Sequence, residues 1–303
     1  MKPAPFAYHR PRDVEAAARM LADLGDEAKV IAGGQSLVPL LNFRLAAPGH
    51  LVDVNGIPGL DGLDRADGAV RVGATVRDAR LLRGREVAAA HPLLVEATEW
   101  IAHPVIRNRG TVCGSLAHAD PAAELPAVLA LLEGSVEAVA WRRGALTSRR
   151  VPAAALFAGP LQTTLEADEL VVAATFPTLR PRTGWAVEEL ARRRGDYALA
   201  GVVLTVTVDG DGKPASGRAA YLSCAPTPVV VDIGPALNAG DANADGLYEL
   251  VAAALDPTDD IHATGEYRRH LAATLTVRAF DRALARARTG TAGSKDRGSE
   301  VPA

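Results

Sequence analysis

Cysteine is scarce in this chain of 303 residues, which contains only Cys113 and Cys224. Two thiols cannot form a disulfide scaffold. An iron-sulfur cluster needs about four thiolates, so any cluster must lie on a partner. No second cysteine is close to Cys113 in sequence, which favours a small packed residue there over a redox nucleophile.

Long apolar runs and extended basic tracts are also missing. The longest apolar stretches, 128–132 and 198–208, are much shorter than the roughly 20 residues that span a bilayer, so we expect no membrane span. Basic runs such as 192–194 are short, and the net charge is −3, so we expect no nucleic-acid partner. Residues 1–8 contain no apolar h-region, which predicts no secretory signal and a cytoplasmic protein.

The composition, with 48% apolar and 23% charged residues, is typical of a globular protein that can bury a substantial core. Apolar spacing predicts helices over 13–24, 37–45, 76–82, 92–102, 122–132, 247–255 and 267–287. It predicts strands over 29–32, 51–54, 70–74, 136–141, 169–176, 198–208 and 217–223, the last two forming a hairpin around Asp209-Gly210-Asp211-Gly212. These elements indicate two successive α/β units followed by a hairpin and helices.

Two glycine-containing loops far apart in sequence stand out, 32–36 (Ala-Gly-Gly-Gln-Ser) and 109–115 (Arg-Gly-Thr-Val-Cys-Gly-Ser). Each adjoins an apolar segment, where backbone N–H groups can converge on an anionic pyrophosphate. One such loop alone would more often be only a tight turn. Together the two loops predict a bound flavin nucleotide.

Other chemistry has weaker support in the sequence. His118, Asp120 and Glu124 are metal-ligand types within seven residues, but Pro121 prevents the first two from sharing a helix face. The segment 34–38 lacks the final glycine of a nucleophile elbow, and neither a Gly-x-Gly-x-x-Gly nor a Walker sequence is present. No catalytic acid–base pair stands out, so we predict no catalytic residue and no metal ligand.

The two loops and the segment Leu116-Ala117-His118-Ala119-Asp120-Pro121-Ala122-Ala123-Glu124 resemble the flavoprotein (medium) subunit of the xanthine dehydrogenase and carbon monoxide dehydrogenase family of molybdenum hydroxylases. The resemblance covers roughly residues 1–287 and includes 194–200 (Arg-Gly-Asp-Tyr-Ala-Leu-Ala), which looks like the start of that family's C-terminal domain. It implies an α+β protein: an FAD-binding domain of two α/β subdomains (PCMH-type), plus a C-terminal domain of a small antiparallel sheet with helices.

The implied domain boundaries follow a proline-rich, basic linker. The FAD-binding domain would be 1–177, with subdomains of about 1–56 and 57–177, and the C-terminal domain would be 178–288. Residues 289–303 are rich in glycine, serine and charge, which predicts a disordered tail.

The resemblance also implies site residues on this chain. Those that would hold the pyrophosphate and ribityl chain are Ala32, Gly33, Gly34, Gln35, Ser36, Leu37, Thr111, Val112, Gly114 and Ser115. Glu124 would accept hydrogen bonds from flavin hydroxyls. Ile101, Leu165 and Glu188 would lie near the isoalloxazine ring, although relatives often have lysine at the last position, and Tyr197 would lie near the ring's exposed face.

The function implied is electron transfer. A large subunit carrying a molybdenum cofactor would hydroxylate the substrate, a small subunit with two iron-sulfur clusters would relay electrons, and FAD on this chain would pass them to an external acceptor. The assembly would be a dimer of heterotrimers. Relatives acting on CO typically carry histidine in place of Gln35, so an N-heterocycle or aldehyde is the expected substrate. The alternative is a self-contained FAD-dependent oxidase of the vanillyl-alcohol-oxidase type.

Overall fold

A computed structural model describes residues 2–237 and 244–289. Its first unit is a parallel sheet in the order β1-β3-β2, formed by β1 (Ala7–His9), β2 (Ala28–Ile31) and β3 (His50–Asp53). The helices of this unit are α1 (Val14–Leu24), a 3-10 turn (Gly25–Glu27) and α2 (Leu37–Asn42). The Asp13 carboxylate caps α1 by accepting a hydrogen bond from the Ala16 amide at 2.7 Å, and Gly25, with φ +54°, ends the helix.

The second unit is built on a five-stranded antiparallel sheet in the order β4-β5-β10-β6-β7. Its strands are β4 (Leu63–Ala66), β5 (Ala69–Gly73), β6 (Ser135–Arg142), β7 (Ala145–Pro152) and β10 (Leu170–Pro177). The sequence predicted the three central strands and missed the two edge strands. Both edge strands are mostly exposed, so they lack the apolar alternation that identifies a half-buried strand.

Short helices surround this second sheet. They are α3 (Asp78–Arg83), α4 (Arg85–Ala90), α5 (Pro92–Trp100), α6 (Pro104–Arg107), α7 (Val112–His118), α8 (Glu124–Leu131) and α9 (Ala153–Leu156), with a small hairpin of β8 (Phe157–Gly159) and β9 (Gln162–Thr163). α8 is the most buried of these helices, with six of its eight residues buried.

The C-terminal part is an antiparallel sheet in the order β11-β12-β13-β14, with helices on one face. The strands are β11 (Thr183–Ala191), β12 (Ala198–Val208), β13 (Pro214–Leu222) and β14 (Val229–Asp232), and the helices are α10 (Gly234–Leu237), α11 (Ala244–Ala254) and α12 (Gly265–Thr289). The predicted hairpin is confirmed, since the Asp209 carboxylate accepts from the amides of Asp211 and Lys213, both at 2.9 Å.

Both faces of this C-terminal sheet are buried, against different neighbours. Val203 and Leu222 join the hydrophobic core of the N-terminal part, whereas Val202 and Tyr221 belong to a second core with α11 and α12. Alternate residues of one strand therefore serve two cores, as the period of two requires. The sheet lies between the N-terminal part and the long C-terminal helix.

No helix in the described part of the chain is long and apolar enough to cross a membrane. The last helix continues to Thr289, one residue into the segment predicted as a disordered tail. The remainder of that segment, 290–303, lies outside the described residues.

Candidate functional site

The two glycine loops are in direct contact. Gly33 follows β2, and Gly110 precedes α7. A Cβ placed on Gly33 would overlap the Arg109 carbonyl oxygen and lie 2.9 Å from the Gly110 Cα atom. The two backbones can therefore approach this closely only because position 33 has no side chain.

The first loop presents backbone donors that the protein does not use. The amides of Gly33, Gly34, Gln35 and Ser36 donate to no acceptor within the described part of the chain. Gly34 has φ +71°, a left-handed conformation that glycine adopts without strain, and the Gln35 side chain folds back to donate to the Gly33 carbonyl at 3.1 Å. Consecutive free amides of this kind form a concave site for an anion.

The second loop is held by a threonine. The Thr111 hydroxyl caps α7 by accepting a hydrogen bond from the Gly114 amide at 3.1 Å, and a Cβ on Gly114 would lie 2.5 Å from that oxygen. Val112 is fully buried and anchors the loop in the core, whereas Gly114 is exposed and Ser115 partly exposed. The loop thus has a buried anchor and an accessible glycine–serine edge.

A polar bridge that the sequence analysis missed joins the two loops. Asn55 donates to the Ala32 carbonyl at 2.8 Å and accepts from the Arg77 guanidinium at 2.6 Å, and Arg77 also donates to the Arg109 carbonyl. Asp53, at the end of β3, accepts from the Asn55 amide at 2.9 Å. Neither Asn55 nor Arg77 belongs to a recognisable motif, so only the tertiary structure reveals this bridge.

Several carboxyl groups lie near the start of α8. Glu124, the first residue of α8, has its pKa raised to about 8, chiefly by burial and then by the nearby charge of Glu189, with smaller contributions from Asp78 and Asp120. Burial likewise raises the pKa of Glu189 to about 7, and its Oε2 atom is buried without a hydrogen-bond partner in the described structure. Glu124 and Glu189 are therefore two neighbouring carboxyls whose pKa values are both raised to neutral pH or slightly above.

Glu188, the predicted site residue, points the other way. Its carboxylate forms an ion pair with Arg282 of α12, which also contacts Glu96. Adjacent strand residues face opposite sides of a sheet, so Glu188 and Glu189 cannot both face Glu124. The structure brings Glu189, rather than Glu188, to the carboxyl pair, and the role of Glu188 toward a flavin stays a prediction.

The structure also shows where three further predicted site residues, Ile101, Leu165 and Leu37, lie in the fold. Ile101 ends α5, and its carbonyl accepts from Arg107 at 2.6 Å. Leu165 is partly buried against the N-terminal core, and Leu37 begins α2 directly after the first loop. Their placement near a flavin ring or phosphate stays a prediction.

Tyr197 lines a cavity of about 730 Å³ between the N-terminal and C-terminal parts. The opposite wall includes Asp120 and Ala122 from the segment between α7 and α8, and Arg268 of α12 also lines the cavity. Tyr197 is 71% exposed, and the charges of Asp120 and Glu124 add to partial desolvation in raising its pKa. An exposed aromatic ring thus lines the cavity, close enough to Asp120 and Glu124 for their charges to act on its hydroxyl.

The described residues fit a flavin nucleotide better than a metal. Four free amides suit an anionic phosphate, whereas no group of three or more His, Cys, Asp or Glu side chains is arranged to hold a metal ion in the described part. The Nε2 atom of His118 and the Oδ2 atom of Asp120 are 3.9 Å apart, so these two side chains interact only weakly. Cys113 is only 3% exposed, as expected of a small packed residue, and burial raises the pKa of its thiol to about 12.

Comparison with protein families matches both parts of the chain. Residues 4–179 match the FAD binding domain in molybdopterin dehydrogenase, and residues 185–283 match the CO dehydrogenase flavoprotein C-terminal domain. Together these matches extend over nearly all of the described structure.

Individual relatives agree over almost their full length. The chain is 41% identical to the 6-hydroxypseudooxynicotine dehydrogenase complex subunit alpha of Paenarthrobacter nicotinovorans, with 95% of this chain and 97% of the relative covered. It is 36% identical to the carbon monoxide dehydrogenase medium chain of Hydrogenophaga pseudoflava, covering 94% and 99%.

Solved structures give the same result. Carbon monoxide dehydrogenase from Hydrogenophaga pseudoflava, solved without the Mo-pyranopterin moiety of its cofactor, matches with a TM-score of 0.87 at 35% identity, covering 94% of this chain and 99% of that one. Quinoline 2-oxidoreductase from Pseudomonas putida 86 also matches with a TM-score of 0.87, at 34% identity, covering 95% and 100%. The chain therefore belongs to the family of FAD-binding medium subunits of the molybdenum hydroxylases.

Proposed function

We propose that this chain holds FAD between its two glycine loops and serves as the electron-transferring subunit of a three-subunit molybdenum hydroxylase. The observation that carries the proposal is the set of four free amides, Gly33 to Ser36, in a loop whose Gly33 packs against the second loop. When bound, FAD supplies the redox chemistry, and the protein supplies binding, orientation and control of access.

The residues divide the work of binding between them. The amides of 33–36 and the edge of the second loop at Gly114 and Ser115 would hold the pyrophosphate and ribityl chain. Glu124 would accept hydrogen bonds from flavin hydroxyls, and Glu189 and Tyr197 would lie at the ring end, near the cavity of about 730 Å³ between the two parts of the chain. The proposed domain division, 1–177 (subdomains about 1–56 and 57–177) and 178–288, puts this cavity at the domain boundary.

We infer partners from chemistry that this chain lacks. Two isolated buried cysteines cannot hold an iron-sulfur cluster, so the two clusters would lie on a small subunit and the molybdenum cofactor on a large one. The relatives' names describe them as a complex subunit alpha and a medium chain. A dimer of heterotrimers in the cytoplasm is the assembly we propose.

The substrate would be chosen by the large subunit. Relatives include a nicotine 6-hydroxylase medium subunit from Paenarthrobacter nicotinovorans at 38% identity and a caffeine dehydrogenase subunit beta from Pseudomonas at 36%. These names favour an N-heterocyclic substrate, although carbon monoxide dehydrogenase chains are similarly close. The self-contained oxidase receives no support from the comparisons.

Absorption spectra test the proposal directly. The chain is purified alone and after co-expression with the large and small subunits, and each spectrum is taken before and after dithionite. We expect a flavin spectrum alone and added iron-sulfur bands only with the partners. Oxidation of a small substrate by the isolated chain would support the oxidase instead, and absence of flavin under both conditions would contradict the proposed cofactor.

A further inference from the structure

A buried carboxyl group lies directly beneath the second glycine loop. Asp78, the first residue of α3, is only 4% exposed, and its Oδ1 atom has no hydrogen-bond partner among the described residues. Its backbone amide donates to the Gly110 carbonyl at 3.1 Å, and a Cβ on Gly110 would overlap the Asp78 carboxyl. The acid therefore packs against the loop backbone, and within the described part of the chain no donor stabilises charge on its Oδ1 atom.

One residue, Gly110, separates Asp78 from the first loop. Gly110 contacts Asp78 on one side, and on the other its Cα atom lies 2.9 Å from the position of a Cβ on Gly33. Backbone hydrogen bonds hold this stack in place, including the Val112 amide to the Val76 carbonyl at 3.2 Å. Asp78, Gly110 and Gly33, whose amide is the first of the four free amides, are thus in successive contact.

The two arginines near Asp78, Arg77 and Arg107, donate their hydrogen bonds to groups other than its carboxyl. Arg107 donates to the carbonyls of Ile101 and Ala102 at 2.6 and 2.9 Å, and Arg77 donates to Asn55 and Arg109. Burial outweighs their attraction and raises the pKa of Asp78 to about 7. The charge of Asp78 in turn makes a small contribution to raising the pKa of Glu124.

We propose that Asp78 is a positioning residue that takes up a proton when FAD binds, so that the carboxyl beneath the second loop is neutral in the complex. This inference rests on the proposed function, because it requires the pyrophosphate to lie on the two loops. The pyrophosphate brings two negative charges to the face of the loop opposite Asp78. An ionised Asp78 would repel them through a few ångströms of poorly polarisable protein.

The linkage has a definite sign. The free protein loses the Asp78 proton as the pH rises through about 7, and binding must then restore it. FAD affinity is therefore constant at low pH and falls above neutrality. For one proton taken up, the dissociation constant rises by about tenfold or more between pH 6 and pH 8.5.

The experiment is a titration of the full, flavin-stripped chain with FAD at several pH values, comparing Asp78→Asn with Glu124→Gln. Asparagine has nearly the same shape as a protonated aspartic acid and cannot ionise. We expect the dissociation constant of Asp78→Asn to change by less than about threefold over that range, while Glu124→Gln retains the pH dependence, whatever its own affinity. A pH dependence that persists in Asp78→Asn, or disappears only in Glu124→Gln, overturns the inference.

If Asp78→Asn fails to fold, calorimetry of FAD binding in two buffers of different ionisation enthalpy gives the answer, with a chain that carries both Glu124→Gln and Glu189→Gln so that neither of those acids can take up the proton. Net uptake approaching one proton at pH 8 supports Asp78 as the acceptor, and no uptake contradicts it. Failure of the natural chain to bind FAD at any pH would refute the proposed function instead, so the two failures are distinguishable.

Discussion

Gly33 shows how one missing side chain can determine a binding site. Because a Cβ there would overlap the Arg109 carbonyl, any larger residue must push the two loops apart. We expect Gly33→Val to fold but to lose bound FAD, because the free amides of the first loop would no longer face the second loop. Flavin absorbance per chain and far-UV circular dichroism measure the two effects.

Gly56→Ala is the matched control for this change. Among the described residues, a Cβ at Gly56 would have only the Arg10 guanidinium within 4 Å, at 3.7 Å, so the variant should keep both fold and flavin. Full FAD retention in Gly33→Val would show that the loops do not hold the cofactor as assigned.

Glu189 gives a second prediction at the scale of the residue. Its pKa is raised to about 7 in the folded chain, so the folded state favours the protonated acid. The contribution of the protonated Glu189 to the stability of the folded chain is complete at acidic pH, below the pKa that Glu189 has in the unfolded chain. It is lost as the pH rises through about 7. We expect Glu189→Gln to raise the Tm of the FAD-free chain by roughly 2–4 °C at pH 8.5 and to leave it nearly unchanged at pH 5.

The neighbouring Glu188 provides the comparison. Glu188→Gln removes a partly exposed ion pair with Arg282. We therefore expect it to decrease the free energy of unfolding by less than about 1 kcal/mol at both pH values. If the two variants responded to pH in the same way, Glu189 would not be a buried acid on the opposite face.

At the scale of elements, α5 and α12 are clamped to the C-terminal sheet through one acid. Glu96 of α5 accepts from the Trp185 indole at 3.0 Å and pairs with Arg282 at 2.9 Å and Arg286 at 2.6 Å. Nearby, Gly184 of β11 lies so close to α12 that a Cβ would overlap the Ala283 carbonyl. Polar contacts and close backbone packing therefore hold the same junction.

Replacing Glu96 with alanine tests this clamp. It would leave the Trp185 indole N–H without its acceptor and remove one partner each from Arg282 and Arg286, which keep Glu188 and the Trp185 carbonyl. We therefore expect a loss of roughly 2 kcal/mol in the free energy of unfolding. Urea denaturation measures the change. Glu15→Ala removes an exposed pair with Arg19 one turn away and should cost under about 0.5 kcal/mol; equal costs would show that the clamp contributes little.

At the scale of the whole molecule, the C-terminal sheet joins both hydrophobic cores. Its two buried faces mean that neither part of the chain can unfold without exposing apolar surface on the other. We therefore expect a single calorimetric transition for the FAD-free chain, with the van't Hoff enthalpy equal to the calorimetric enthalpy. Two resolved transitions would show that the parts unfold independently.

Local patterns were enough to predict most elements and the two loops. A capping aspartate, a stopping glycine and apolar spacing identify α1, because each acts within a turn or two of helix. The edge strands β4 and β7 were missed because exposed strands carry no apolar signal. The carboxyl beneath the second loop was missed because burial depends on residues distant in sequence.

The sequence by itself determined that the chain carries a pair of glycine loops suited to a flavin, since the need for glycine and free amides is local to each loop. Only the tertiary structure decided that the loops touch, that Asn55 and Arg77 bridge them, and that Glu189 rather than Glu188 faces Glu124. Those features depend on how separate segments pack and on which face of a strand is turned inward. Distant segments pack against each other because the apolar residues of the whole core are buried together. No short stretch of sequence contains that information.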